Sequence, residues 1–363
     1  MLNAVEHHII ELHPSHADPG RLGDWIPPQH LGGVGRQIRA RLSERVHKAL
    51  TVPVREVTDA GGRRWRPMLV GQVITLLGED AERFAPVLAA LEIAHAGSLI
   101  VDDIEDAAPM RRGRPAAHTV HGLPTALNAG TNAYFALDNA LRRCVPDDPL
   151  LRGRLYEVYL QALRAAHTGQ ALDIQGHSRD MDQAVVTGNA DTLLQLVRLT
   201  HRLKSGAMVA AGFEMAALLT GVDPRLRQEL AAFGSAVGTA YQIGDDAADL
   251  RGVTRGDVRT KRAAEDLHNG KTTMPLAHAV HLLPRERLRT IWQWIRDGTA
   301  SDVQVSEILT DVEGCGAGAL CTAEAQEMVE RAWDRLHPLL PASTLTDLLY
   351  DSARLVVNRD TGP

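Results

Sequence analysis

The chain has 363 residues, 44% hydrophobic and 23% charged, which is enough for a sizeable core. Its 39 Lys and Arg against 45 Asp and Glu give a formal net charge of -6, excluding a general pull toward nucleic acid or anionic membrane. Cys144, Cys315 and Cys321 lack C-x-x-C spacing, and no apolar run of ~18 residues or basic-then-apolar leader is evident, so a cytoplasmic protein without disulfide framework, zinc site or stable membrane insertion is expected.

Residues 1–33 hold Pro14, Pro19, Pro27 and Pro28 with several Gly and His, and are expected to form an irregular, partly disordered extension ahead of one large domain over 34–363. Helical periodicity then dominates and alternating strand patterns are hard to find, so the fold class is all-α. Helices are expected over about Val34–Leu50 and, after Gly61-Gly62, over Arg66–Leu77. The next is the most informative. After Pro86, the residues Leu88, Leu91, His95, Ser98, Asp102 and Asp106 recur at steps of three and four, a stripe that turns from apolar to acidic. Further helices are expected over about Thr125–Arg143, Leu150–Asp173, Asp191–Leu219, Arg225–Leu250 and Thr272–Leu282. Gly314-Cys315-Gly316-Ala317-Gly318 follows no strand and reads as a helix connection, not a dinucleotide loop.

Two clusters of one form, Asp102-Asp103-Ile104-Glu105-Asp106 and Asp245-Asp246-Ala247-Ala248-Asp249, fall on these helices. Positions i and i+4 share a helix face, so Asp102 projects with Asp106 and Asp245 with Asp249. Neither cluster contains Lys or Arg to relieve the repulsion; a hard divalent cation would supply the missing charge. A lone D-D-x-x-D is more often a solvated face. Here both clusters end apolar segments, and Gln242 precedes Asp245 and Asp249 by three and seven residues on one face. Basic strings complete the pattern: Gly61-Gly62-Arg63-Arg64-Trp65-Arg66-Pro67, Arg111-Arg112-Gly113-Arg114-Pro115, and the lysines Lys204 and Lys271. Guanidinium groups match phosphate oxygens in bidentate fashion, so Arg clusters beside acidic clusters suit two diphosphates with magnesium.

These residues resemble the trans-prenyl diphosphate synthases, the farnesyl and geranylgeranyl diphosphate synthase family. The string Glu92, His95, Ser98-Leu99-Ile100, Asp102-Asp103, Asp106, Arg111-Arg112-Gly113, Pro115, His118 is similar to the first aspartate-rich region, and Gln242, Asp245, Asp246 and Asp249 to the second. The Gly61–Pro67 string resembles G-G-K-R-x-R-P, Lys204-Ser205 a K-[TS] pair, and Gln170–Asp173 a Q-x-x-D, the likeness spanning roughly residues 40–355. His121-Gly122-Leu123-Pro124 and Glu265-Asp266-Leu267 before Gly270-Lys271 look most like the geranylgeranyl branch.

The resemblance implies a single large helical bundle of the isoprenoid synthase type around a central cavity, and commonly a homodimer. It implies that Asp102, Asp106 and Asp245 hold three Mg2+ ions on an allylic prenyl diphosphate, with Asp103, Asp246 and Asp249 completing the acidic rim. Arg111, Lys204, Gln242 and Lys271 would bind that diphosphate, and Arg63, Arg66, His95 and Arg112 that of isopentenyl diphosphate. Loss of diphosphate would leave an allylic cation that the isopentenyl double bond attacks. Arg63 departs from the family's Lys, and Thr131 stands where many members have Asp.

Small Gly97 and Ser98, one turn below Asp102, are expected to form a floor that lets the product grow to C20 or longer; the alternative for Gly97 is close helix packing. A class I terpene cyclase and a non-catalytic partner subunit are the competing functions. A cyclase has no use for a second cationic site and lines its cavity with aromatics, which make up only 4% of this chain; partner subunits lose acidic clusters.

Overall fold

The structure is a computed structural model that describes residues 1–251, 253–255, 258–261, 267, 270–296 and 300–358. Helices account for nearly all of it, and among the described residues the strands are two short antiparallel hairpins, as an all-α sequence predicts. By packing, the chain forms two compact units, Met1–Gly71 with Glu79–Arg152, and Gln72–Gly78 with Gly153–Pro363.

In the first unit the irregular extension expected over residues 1–33 is corrected at its start. Helix α1 runs Leu2–Leu12 and buries Val5, Ile9 and Leu12, one stripe at i, i+4 and i+7, in the same core as α5. The reason lies in the sequence: the first proline is Pro14, and 2–12 holds neither Pro nor Gly. Two 3-10 turns follow, Pro19–Asp24 and Pro28–Leu31, each opened by a proline whose missing N–H costs nothing there.

Helix α2 (Arg36–Val46) passes through a π turn at His47–Thr51 into α3 (Val52–Asp59). Pro53 explains the wide turn, because its ring cannot approach the carbonyl four residues back. Helix α4 (Trp65–Leu76) follows. Helix α5 (Ala85–Glu105) is the axis of this unit; with the turn before it, Ala81–Glu105 contains an 18-residue window whose mean hydropathy reaches 1.7. That corrects the expectation that no apolar stretch of spanning length exists. With 78% of that window buried inside the protein, α5 is a core helix.

A two-residue hairpin, β1 (Met110–Arg111) with β2 (Arg114–Pro115), leads to α6 (Ala117–His121), α7 (Leu123–Asn132) and α8 (Ala136–Cys144). One continuous helix was expected over Thr125–Arg143. Instead a 3-10 turn at Ala133–Phe135 breaks it and sets Ala133 over Gly97 of α5.

The second unit takes up α9 (Pro149–Gln175), then α10 (Ser178–Thr187) and α11 (Asp191–His201). A second π turn, Arg202–Gly206, joins α11 to α12 (Ala207–Thr220). Helix α13 (Pro224–Arg251) packs against α12 and the later helix Ala317–Leu336, with Phe213, Phe233 and Trp333 in edge and tilted contact at 6.0 and 5.3 Å between ring centres. After hairpin β3 (Val253–Arg255) and β4 (Val258–Lys261) come α14 (Met274–Leu282), α15 (Arg285–Arg296), α16 (Asp302–Gly314), α17 (Ala317–Leu336) and α18 (Thr344–Val357). Glu265 and Asp266 lie outside the described residues.

Candidate active site

The first acidic cluster occupies the last turn of α5, and helix phase sorts its carboxylates. Leu91, His95, Ser98, Asp102 and Asp106 form the half-exposed stripe, whereas Asp103 falls in line with the buried Ala96 and Ile100. Asp102 and Asp106 therefore share an open face, and Asp103 turns inward. The β1–β2 hairpin supplies its partner. Arg112 and Gly113 form the two-residue turn with φ of 52° and 75°, the left-handed pair of a type I′ turn that favours glycine. The turn sends the two arginines to different targets. Arg111 donates through Nε at 2.7 Å and through Nη2 to Oδ1 of Asp103, and its Nη2 lies 3.5 Å from Asp102. Burial still pushes the Asp103 carboxyl above its ordinary pKa, opposed by Arg111, and its Oδ2 accepts no hydrogen bond.

Arg112 reaches back to the Gly61–Pro67 loop, donating to the carbonyls of Val57, at 2.9 Å, and Gly61. Arg66 donates to Nε2 of His95 at 3.2 Å and lies 4.4 Å over the Trp65 ring. Since a guanidinium can only donate, Nε2 accepts and the imidazole is neutral with its proton on Nδ1. Burial first, then the charges of Arg66, Arg112, Arg111 and Arg64, hold His95 well below the usual histidine range. Arg66 is the one that donates to the imidazole, while Arg112, Arg111 and Arg64 are hydrogen-bonded elsewhere and add their charge, an electropositive setting suited to an anion. Arg63 is exposed at the mouth of the loop. Sequence reasoning gave Arg64 no role, yet it fastens the loop, donating to Glu92 at 2.8 Å, to the Thr58 carbonyl at 2.7 Å and to Glu6 at 2.7 Å. Its signal was present in the string Arg63-Arg64-Trp65-Arg66 paired with Glu92.

Gly97 is not part of an open floor. A Cβ there would stand 2.4 Å from the Gly130 carbonyl oxygen and 2.6 Å from Cβ of Ala133, so the residue exists for close helix contact. The expected chain-length role is corrected for Gly97; Ser98 remains on the half-exposed stripe, its hydroxyl donating to the His95 carbonyl at 2.8 Å.

In the second unit α13 also turns the second carboxylate inward, but its third is buried as well, so Asp245 and Asp249 do not share an open face as their spacing predicts. Asp246 lines up with the buried Thr239 and Ile243, and its Oδ2 accepts from Nε2 of His201 and from the Met274 backbone N–H, both at 2.9 Å. Asp245 and Gln242 are half-exposed, Asp249 is buried, and Gln242 Oε1 accepts from the Ser205 hydroxyl at 2.8 Å. Lys204, placed by the π turn, and Lys271 both donate to Oδ2 of Asp173, at 2.8 and 3.3 Å. Burial would raise the Asp173 carboxyl, but the two ammonium groups outweigh it and hold it at about 2. Asp173, known from the sequence only as the end of a Q-x-x-D string, is what gathers the two lysines.

The donor set suits magnesium in kind: only hard carboxylate oxygens line the open stripe at Asp102 and Asp106, and Asp103 Oδ2 is an unpaired buried acceptor. Among the described residues no three His, Cys, Asp or Glu side chains are gathered closely enough to hold a metal ion.

A sequence profile of polyprenyl synthetase matches residues 47–312. The all-trans-nonaprenyl-diphosphate synthase (geranyl-diphosphate specific) of Rhodobacter capsulatus is 29% identical over 333 residues, 91% of this chain and 95% of that one. The geranylgeranyl pyrophosphate synthase of Geoglobus acetivorans is 28% identical over 330 residues, 90% and 96% of the two chains. In fold, the polyprenyl synthase of Caulobacter crescentus, solved with calcium and isoprenyl diphosphate, superposes with a TM-score of 0.75 over 99% of this chain and 94% of its own, at 23% identity.

Proposed function

The chain belongs to the polyprenyl synthetase family and is a prenyltransferase with that family's all-α fold, and from this premise we propose that it joins an allylic prenyl diphosphate to isopentenyl diphosphate in a magnesium-dependent trans condensation. The observation that carries the reading is that neutral His95 accepts from Arg66 and lies in the positive field of Arg112, Arg111 and Arg64. An elongating enzyme must hold a second diphosphate apart from its metals, and a cyclase has no need to.

Asp102, Asp106 and Asp245 would hold magnesium, three ions in all, with the buried Asp249 completing the acidic cluster behind them. When bound, magnesium neutralises charge on the departing diphosphate of the allylic substrate. Arg111, Lys204 and Lys271 donate to the same group, with Gln242 beside them, so the C–O bond breaks toward a cationic surround and leaves an allylic cation. Arg63, Arg66, His95 and Arg112 orient isopentenyl diphosphate. Its double bond attacks the cation, a proton is lost to the released diphosphate, and no side chain serves as nucleophile. Asp103 and Asp246, turned inward onto Arg111 and onto His201 and Met274, act as positioning carboxylates.

The half-exposed stripe beneath Asp102 begins with Ser98, too small to stop a growing chain, which favours geranylgeranyl diphosphate or a longer product. Exposed Val120, Leu123, Leu127 and Phe135 on α6, α7 and the following turn form the apolar face of a homodimer. Three free thiols suit the cytoplasm.

Incubation with magnesium, isopentenyl diphosphate and the dimethylallyl, geranyl or farnesyl diphosphate in turn, followed by sizing of the products, tests this. The expected outcome is consumption of isopentenyl diphosphate with products of four or more isoprene units. Hydrocarbon release without isopentenyl consumption would instead establish the cyclase.

A further inference from the structure

The loop that carries Arg63 and Arg66 is held in an unfavourable backbone. Gly61 and Gly62 have φ of 88° and 151°, and Arg64, which has a Cβ, has φ of 48°. A non-glycine residue in the left-handed region persists only where its surroundings over-determine it. Here they do so through the Arg64 guanidinium, all three of whose nitrogens are engaged: Nη2 by the Thr58 carbonyl, Nη1 by buried Glu92, and Nε by Glu6. Two of these anchors come from the core beneath the loop. The third comes from α1, a segment that lies outside the 47–312 match to the family.

Glu6 is also the anchor that meets solvent. Its side chain is 49% exposed against 4% for Glu92, and its interaction contributes to raising the Arg64 pKa despite burial. Helix α1 is fixed independently of this pair by Val5, Ile9 and Leu12 in the core, so it presents Glu6 from a rigid support. We infer that Glu6 is a positioning residue for the isopentenyl diphosphate site: through Arg64 it closes the strained 61–64 turn and so sets Arg63 and Arg66 for the diphosphate, giving α1 a role in substrate affinity. This rests on the assignment of Arg63, Arg66, His95 and Arg112 to isopentenyl diphosphate.

The test is steady-state kinetics of the full chain with each substrate varied in turn, for Glu6→Gln, Glu6→Asp, Glu6→Lys and, as a reference, Arg66→Ala. An exposed ion pair is worth little, so Glu6→Gln should raise KM for isopentenyl diphosphate about three- to fivefold and Glu6→Lys more, with kcat and the allylic KM unchanged. Glu6→Asp should recover part of the loss. If Arg66→Ala raises KM for isopentenyl diphosphate while both Glu6→Gln and Glu6→Lys leave it unchanged, the inference fails and the site assignment stands. An equal rise of both KM values with a lowered Tm would also overturn it, showing a merely structural contact. If Arg66→Ala itself leaves KM for isopentenyl diphosphate unchanged, the assignment fails and takes the inference with it. Should Glu6→Lys not fold, Glu6→Gln decides.

Discussion

Gly97 of α5 and Gly130 of α7 face each other with no room for a side chain: a Cβ on Gly97 would lie 2.4 Å from the Gly130 carbonyl oxygen, and one on Gly130 would lie 3.0 Å from that of Gly97. The pair lets the two helices touch at backbone distance. Gly97→Phe therefore does not shorten the product; it should unfold the site. Even Gly97→Ala overpacks the contact and should cost about 1 to 3 kcal/mol, read as a fall in Tm. Ser98→Phe, on the half-exposed stripe, should fold normally and shift the product to a shorter chain, checked by chromatography of the hydrolysed products. An unchanged product from a folded Ser98→Phe protein would move the stop to another helix.

Asp173 links the two lysines to stability as well as to chemistry. Its folded pKa of about 2 lies below the ordinary carboxylate value. A carboxylate so depressed stabilises the fold above its unfolded pKa and ceases to do so as pH falls through the folded one. The shift corresponds to about 2 kcal/mol at neutral pH, lost between about pH 4 and pH 2. Glu324, which accepts from Arg198 and His278 and is also held at about 2, acts in the same window. Thermal unfolding of Asp173→Asn between about pH 5 and pH 2.5 should show a flatter fall of Tm than the parent chain. Equal slopes would mean that Asp173 is not the group responsible.

Removal of divalent metal gives a direct check on the acidic clusters. A chelator should abolish turnover, and magnesium should restore it. Binding of isopentenyl diphosphate alone, measured by calorimetry, should survive the chelator, because its cationic site uses Arg63, Arg66, His95 and Arg112 and no aspartate. Loss of both together would join the two diphosphates to one set of ions.

Much of this was legible along the chain because helical phase is. The stripe from Leu91 to Asp106 follows from spacing alone, and the same arithmetic, carried one residue further, places Asp103 with Ala96 and Ile100 on the buried side. Helix α1 was legible too: Val5, Ile9 and Leu12 repeat at helical spacing, and the prolines that suggested disorder all come later. What periodicity does not carry are departures from it. The π turn that places Lys204, and the 3-10 turn that lays Ala133 over Gly97, depend on neighbouring helices at close approach. Nor does spacing identify Asp173 as the partner of Lys271, 98 residues away.

The inward aspartates should separate from the outward ones in kinetics. Asp245 is half-exposed and is the metal ligand proposed for this cluster, so Asp245→Asn should lower kcat by about 10²-fold or more. Asp246, a positioning carboxylate, already gives Oδ2 to His201 and Met274, and hydrogen bonds behind a metal site commonly carry about 10- to 100-fold in affinity or activity. His201→Ala should thus raise the magnesium concentration needed for half-maximal rate about tenfold while leaving kcat at saturating magnesium largely intact. Asp246→Asn keeps the shape and can still accept from Met274, so it should lie between the two. If His201→Ala instead lowered kcat at saturating magnesium as far as Asp245→Asn does, without changing the magnesium requirement, the imidazole would be acting on substrate and not through Asp246.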